Sequence, residues 1–205
     1  MKTKLLVTTL AAAGICIRSQ ALQVDSFDNL SNLAWTDQQG QMSVDTTVKT
    51  EGTGSMRVDF PTAAGAGSGW WDDWTTSKDF NANWSSFSSL SLWSKVSDLS
   101  GTERIDQITI WDIPGHATRF NLSQPGTTDW TQFTIPLSSF VPDNTAVDWT
   151  QVKAIQIKFT TWDTAVTGSS SVWLDNMQLN AVPEPSAFAL VGVGLTVLLK
   201  SRKKQ

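Results

Sequence analysis

The chain has 205 residues, 15 of them basic and 19 acidic, with a single cysteine, Cys16. Seven of the basic residues but only one acidic residue lie in positions 1–21 and 182–205, so the stretch 22–181 holds 8 basic and 18 acidic residues, a net charge of −10. A stretch this acidic is a poor partner for nucleic acid or anionic lipid and suits calcium or neutral ligands; without cysteine, it has neither a disulfide framework nor a thiol nucleophile.

Met1 to Ala21 opens with Lys2 and Lys4, continues through an apolar run from Leu5 to Ile17, and ends in Ser19-Gln20-Ala21. A charged start, a short apolar middle and small residues at −3 and −1 predict an N-terminal signal helix cut before Leu22. Cys16 lies inside it, but Ile15 stands where a lipoprotein signal needs a small residue. The remaining stretch to Ala181 suits one domain with a full core.

No long segment of that domain repeats every 3.6 residues. Short alternating runs broken by Gly, Ser, Asn and Asp predict strands over Gln23–Phe27, Gln41–Val48, Ser55–Phe60, Ser89–Val96, Asp106–Ile113, Ala117–Leu122, Thr131–Ile135, Ala154–Phe159 and Ser171–Leu179. Strands with one apolar and one polar face fit two packed antiparallel sheets, an all-β sandwich or jelly roll. Pro61 to Ser88, rich in Gly, Ala, Ser, Asn and Trp, is expected to be a long loop or irregular excursion.

All 11 tryptophans fall in this domain, which has no tyrosine. An indole can fill a core or stack on a sugar ring. Trp70, Trp71 and Trp74, interleaved with Asp72 and Asp73 in the expected loop, form either a glycan platform or a plug for one end of the sandwich. A second set follows from alternation: with Leu90, Leu92, Ile108, Ile110, Ile155 and Ile157 inward, Trp93, Gln107, Thr109, Trp111, Gln156 and Lys158 point outward. Flat rings beside amides suit a lectin-like face, unless the long loop covers it. Trp130, Trp149 and Trp173 read as structural. His116 follows Pro114-Gly115 in a turn; there is no Gly-x-Ser-x-Gly elbow, His-Glu-x-x-His pair or phosphate loop. Asp72, Asp73, Asp112 and Asp163 are loosely eligible as glycosidase carboxyls, but no motif selects two of them. The reading is therefore not an enzyme, with an acidic hydrolase or lyase as the minority alternative.

Several segments resemble, in order and spacing, the galactose-binding-like jelly rolls of non-catalytic carbohydrate-binding modules. They are Val24–Asp28, Glu51–Phe60, Ser89–Trp93, Trp130–Phe140, Val152–Phe159 and Val172–Leu179. The resemblance implies a structural calcium between the chain's start and its last strand, at Asp28 and Asp175, with the Glu51 side chain or carbonyls near Glu51 and Gly52 completing the shell. Calcium takes six to eight oxygens of these kinds. The same two aspartates could instead cap turns.

The tail, 182–205, places Pro183-Glu184-Pro185 before an uncharged apolar run from Ser186 to Leu199 and ends on Lys200, Arg202, Lys203 and Lys204. The apolar helix is short for a stable span of about 20 residues, and its basic end stays cytoplasmic. The arrangement resembles the PEP-CTERM sorting tail, which implies recognition by an exosortase, a membrane transpeptidase, in a host that makes exopolysaccharide; an ordinary tail anchor with a proline-rich stalk is the alternative. The sequence thus predicts an exported protein, held transiently at the inner membrane and then placed at the cell surface or in the extracellular matrix. Its domain is expected to bind a polysaccharide, a neutral one on the summed charge; the other reading is a structural matrix protein that associates with proteins and binds no sugar specifically.

Overall fold

The computed structural model describes residues 21–35, 41–60, 70–76, 82–97, 104–122, 127–161 and 170–181. The predicted signal helix, apart from Ala21, and the tail 182–205 lie outside the described residues. Among the described residues twelve strands run in chain order: β1 (Leu22–Asp25), β2 (Leu33–Trp35), β3 (Gln41–Asp45), β4 (Ser55–Phe60), β5 (Trp70–Thr76), β6 (Phe87–Val96), β7 (Arg104–Asp112), β8 (Ala117–Asn121), β9 (Thr131–Pro136), β10 (Val141–Pro142), β11 (Val152–Thr161) and β12 (Ser170–Ala181).

They form two six-stranded antiparallel sheets. The first runs β3-β4-β12-β6-β9, with β1 pairing β12; the second runs β10-β8-β7-β11-β5-β2. All nine expected strands are present within a few residues of their expected ends. Alternation explains the layering. In β4, Met56, Val58 and Phe60 are fully buried while Arg57 and Asp59 between them are not. In β11, Ile155, Ile157 and Phe159 are fully buried and meet Leu90, Leu92 and Leu174 of the first sheet in one core. Burying a side chain of this size stabilises by about 1.5–3 kcal/mol.

One expectation is corrected. Pro61–Ser88 is not one long loop: Trp70–Thr76 pairs with β11 over six positions and with β2 on its other side. Three tryptophans and two threonines favour a strand. The central Asp72 and Asp73 break the alternation that would have revealed it, and β11 supplies the ladder that overrides them. In the same segment Ala82 bridges Val152, and Trp84 is completely buried, stacked 6.4 Å from Trp149. Trp149 packs against the core, and Trp173 is 7% exposed with Nε1 donating to Asp45 at 3.0 Å.

Two bulges aim side chains. Asn176, at φ 46°, interrupts the pairing of β12 with β6 between Asp175 and Gln178. Asp175 stays in register with Trp93, whereas Met177 returns to the core. On β7 the register with β11 shifts between Lys158 and Phe159. The extra residue lets both Asp106 and Gln107 serve the side away from the core: Asp106 ion-pairs Lys158 at 3.9 Å, and Gln107 stands opposite Lys158.

Candidate functional site: the outer face of the second sheet

Three rows cross this sheet. Ala154, Trp111 and Ala117 stand opposite one another, as do Thr75, Gln156, Thr109 and Arg119, and then Asp73, Lys158, Gln107 and Asn121. Directly opposed residues share a face, and the alternate positions Ile108, Ile110, Ile155 and Ile157 fill the core. Trp111 is half-buried, and the positions flanking it on both neighbouring strands are alanines. No flanking chain in that row extends past a methyl, so the indole forms a low platform. It lines a depression of about 360 Å³ with Thr75, Lys153, Ala154 and Gln156.

The polar rows are ordered by short bonds. Gln107 Nε2 donates to Asn121 Oδ1 at 2.7 Å, and Thr109 Oγ1 to Gln107 Oε1 at 3.2 Å. A second depression, of about 540 Å³, opens beside Gln107, Arg119 and Asn121 and reaches Val141 to Asp143, with Arg119 paired to Asp143 at 2.7 Å. Such a surface offers a flat apolar ring and fixed donors and acceptors, the two features a sugar's C–H face and hydroxyls need. Of the carboxyls near this face, Asp112 is fully buried against turn amides, and Asp106 and Asp143 are ion-paired.

The structure sorts the residues singled out from sequence. Gln107, Thr109, Trp111, Gln156 and Lys158 come together on this face. Trp93 does not join them: it lies on β6 in the first sheet, opposite Asp175 and Gln132, because alternation gives a residue's parity but not its sheet. Trp70, Trp71 and Trp74 occupy β5 of the second sheet, not a loop; Trp71 is in register with Thr160, and Trp70 and Trp74 with Thr161 and Ile157. Arg119 and Asn121 were missed, although alternation along Ala117–Leu122 gives them the parity opposite buried Thr118.

At the first sheet, Asp28 and Asp175 hold the loop 49–54 from two sides. Asp28 Oδ1 accepts from the backbone N–H of Thr53, from Gly54 N at 2.8 Å and from Thr53 Oγ1 at 3.0 Å. The Thr53 amide, then the Gly54 amide and the Thr53 hydroxyl, lower its pKa to about 2. Asp175 Oδ2 accepts from Thr50 N at 2.6 Å, Thr50 Oγ1 at 2.7 Å and Glu51 N at 3.2 Å. Glu51 therefore meets Asp175 through its backbone N–H. Asp175 Oδ1 is buried with no hydrogen-bond partner among the described residues. An orphaned carboxylate oxygen fits a cation, but no group of three or more His, Cys, Asp or Glu placed to hold one occurs among the described residues.

The two-sheet fold is similar to solved carbohydrate-binding jelly rolls. A family 30 carbohydrate-binding module is 18% identical, with a TM-score of 0.57 over 83% of this chain and 95% of that one. A family 11 module from Clostridium thermocellum, solved in complex with a β-1,3-1,4-mixed-linked tetrasaccharide, is 16% identical, with a TM-score of 0.54 over 79% and 96%. A β-1,2-glucanase from Parabacteroides distasonis is 16% identical, with a TM-score of 0.52 over 79% of this chain and 25% of the enzyme. No curated protein matches the chain at significant similarity. The family model described as carbohydrate binding domain 30 matches residues 20–181, most of the chain, and the chain belongs to that family.

Proposed function

We propose that the chain is an exported, non-catalytic protein that binds a polysaccharide on the outer face of the second sheet and is sorted through its Pro-Glu-Pro tail. The observation that carries the binding reading is Trp111, set between Ala154 and Ala117 beside the ordered row of Gln107, Thr109 and Asn121. A sugar ring stacks its C–H face on the indole while its hydroxyls meet Gln156, Gln107 and Asn121. Because the strands and their mutual hydrogen bonds already fix these groups, little side-chain freedom is lost on binding. The mixed-linked tetrasaccharide held by the family 11 module makes mixed-linkage β-glucan the first polymer to try.

The test is affinity electrophoresis through gels carrying mixed-linkage β-glucan and a panel of other polysaccharides. Trp111→Ala is expected to weaken retardation on the order of tenfold, the loss of roughly 1.4 kcal/mol of stacking. Retardation unchanged in this variant would remove the platform from the reading.

Export and sorting rest on the signal-like 1–21 and on Pro183, Glu184 and Pro185 before the apolar run and basic end. In this reading a membrane transpeptidase of the exosortase type acts on the tail after the basic end has held the chain at the inner membrane. The bound polymer is then part of the surface or extracellular matrix. A calcium ion, when bound, would use Asp175 Oδ1 and carbonyls of the loop 49–54, with Asp28 bracing the loop. It would staple the last strand to that loop and supply no reaction chemistry.

A further inference from the structure

The depression of about 540 Å³ opens away from Trp111. Gln107, Arg119 and Asn121 line it from the sheet, and Ser139, Val141 and Asp143 line it from the chain that follows β9. The short strand β10 holds that chain against β8. Val141 pairs with Arg119 and Pro142 with Thr118, and Asp143 N donates to the Ala117 carbonyl at 3.0 Å. Pro142 has no N–H to offer a further strand, which discourages strand addition at this edge.

Val141 is nevertheless 68% exposed. It stands opposite Arg119, which stands opposite Thr109, so its side chain belongs to the outer face. A lone exposed valine is ordinary on a convex surface. This one lines a depression, beside polar groups that are already held in place. Arg119 is 48% exposed, and its Nη2 lies 2.7 Å from Oδ2 of Asp143. The pair is neutral as a whole, so it does not call for a charged ligand. A guanidinium carries five N–H groups in a fixed fork, and Asp143 engages one end of it and orients the rest. In the next row Gln107 is bonded to Asn121 at 2.7 Å. The edge thus repeats the pairing found around Trp111, an apolar side chain beside fixed hydrogen-bonding groups.

The separation of the two places suits one chain. β7, β8 and β10 are neighbours in that order, and Trp111 stands opposite Ala117, two residues before Arg119. Val141 is therefore two strands and two residues from Trp111, on the order of 12 Å along a diagonal. Strands lie about 4.8 Å apart, close to the length that a pyranose adds to an extended glycan. A chain that crosses the strands with one ring on Trp111 brings the ring two positions further on to Val141 and Arg119.

Resting on the binding reading above, we propose that the glycan site has a second contact at the β10 edge. There Val141 packs against a sugar ring and Arg119 donates to its hydroxyls, with Asp143 as the positioning residue of Arg119. The ligand crosses the strands from Trp111 toward β10, and a disaccharide is too short to use both contacts.

The test uses the full-length protein in a mild non-denaturing detergent, bound to mixed-linkage β-glucan, with a tetrasaccharide and a disaccharide of that polymer as competitors. The tetrasaccharide is expected to compete on the order of tenfold better than the disaccharide. Arg119→Ala and Val141→Ser, each checked to melt as wild type does, are expected to remove most of that advantage and to leave the disaccharide unchanged. Asp143→Ala is expected to do the same, and to add nothing in Arg119→Ala because it acts through the arginine. Equal competition by the two sugars in wild type, or an advantage intact in both variants, overturns the second contact. Polymer binding that still depends on Trp111 then leaves the binding reading standing. An effect of Asp143→Ala that adds in full to that of Arg119→Ala overturns its positioning role. No binding of the polymer by wild type overturns both the second contact and the binding reading.

Discussion

The ring Nδ1 of His116 lies 2.8 Å from Oδ2 of Asp112, a carboxylate with no exposed surface, while the histidine is 38% exposed. The same carboxylate accepts from the N–H groups of Gly115 at 2.9 Å, His116 at 2.7 Å and Asp148 at 3.0 Å. One side chain thus closes the β7–β8 turn and ties the segment before β11 to it, immediately after Trp111. Asp112→Ala leaves those donors without an acceptor and is expected to cost about 2–3 kcal/mol, read as a lower urea midpoint. Weakened glycan retardation should accompany it, because the strand end carrying the platform loosens. A variant as stable as wild type would deny Asp112 this role.

Burial works against the charge on Asp112, but the Asp148 amide and the His116 ring and amide outweigh it and hold the carboxyl below its ordinary range. Asp28 is also held below the ordinary range, at about 2, by the Thr53 and Gly54 amides. Both are depressed in the folded state, so their stabilisation is complete above the unfolded carboxylate value near 4 and is lost as pH falls through the folded value. Melts of wild type and Asp28→Ala from pH 7 downward should show a constant gap that starts to close below about pH 5 and is nearly gone only at about pH 1. A gap that persists in full at about pH 1 would mean that Asp28 stabilises without its charge.

Gly52 has φ +60°, and a methyl group there would collide with both carboxylate oxygens of Asp28. Gly52→Ala combines a left-handed backbone with that clash, and is expected to cost about 1–2 kcal/mol in urea unfolding. An Ala variant of unchanged stability would show that the loop relaxes away from Asp28 freely.

The orphaned Oδ1 of Asp175 sets the calcium test. Calcium at about a hundredfold above its Kd should raise Tm by roughly 5–10 °C. Asp175→Asn, which keeps an oxygen for Thr50 and Glu51 but removes the charge, should abolish that response. Identical melts in calcium and in EDTA would count against the site.

The two faces give a paired prediction. Trp93→Ala, on the first sheet opposite Asp175, should leave glycan retardation as in wild type, whereas Trp111→Ala should reduce it. For the tail, replacing Pro183, Glu184 and Pro185 together by alanine should leave the protein in the membrane fraction of a host that releases the wild type. Equal release of both would take the motif out of sorting.

Sequence alone determined the strands whose apolar and polar residues alternate, because a period of two is written locally: β4 and β11 carry their buried and exposed faces in their own residues. It also determined the acidic balance, the cysteine-free domain, and which side of its own strand Trp111, Gln107 and Gln156 occupy. Only the tertiary structure decided which strands share a sheet, since pairing depends on partners far away in the chain. That placement separated Trp93 from Trp111, made Trp70–Thr76 a strand despite its two central aspartates, and brought Arg119 of β8 to the same face as Lys158 of β11. Net charge is a sum over the sequence, but a ligand meets a potential set by position, and the fold placed four of the domain's eight cations on three strands of one sheet, each facing nearby carboxylates or the Trp111 depression.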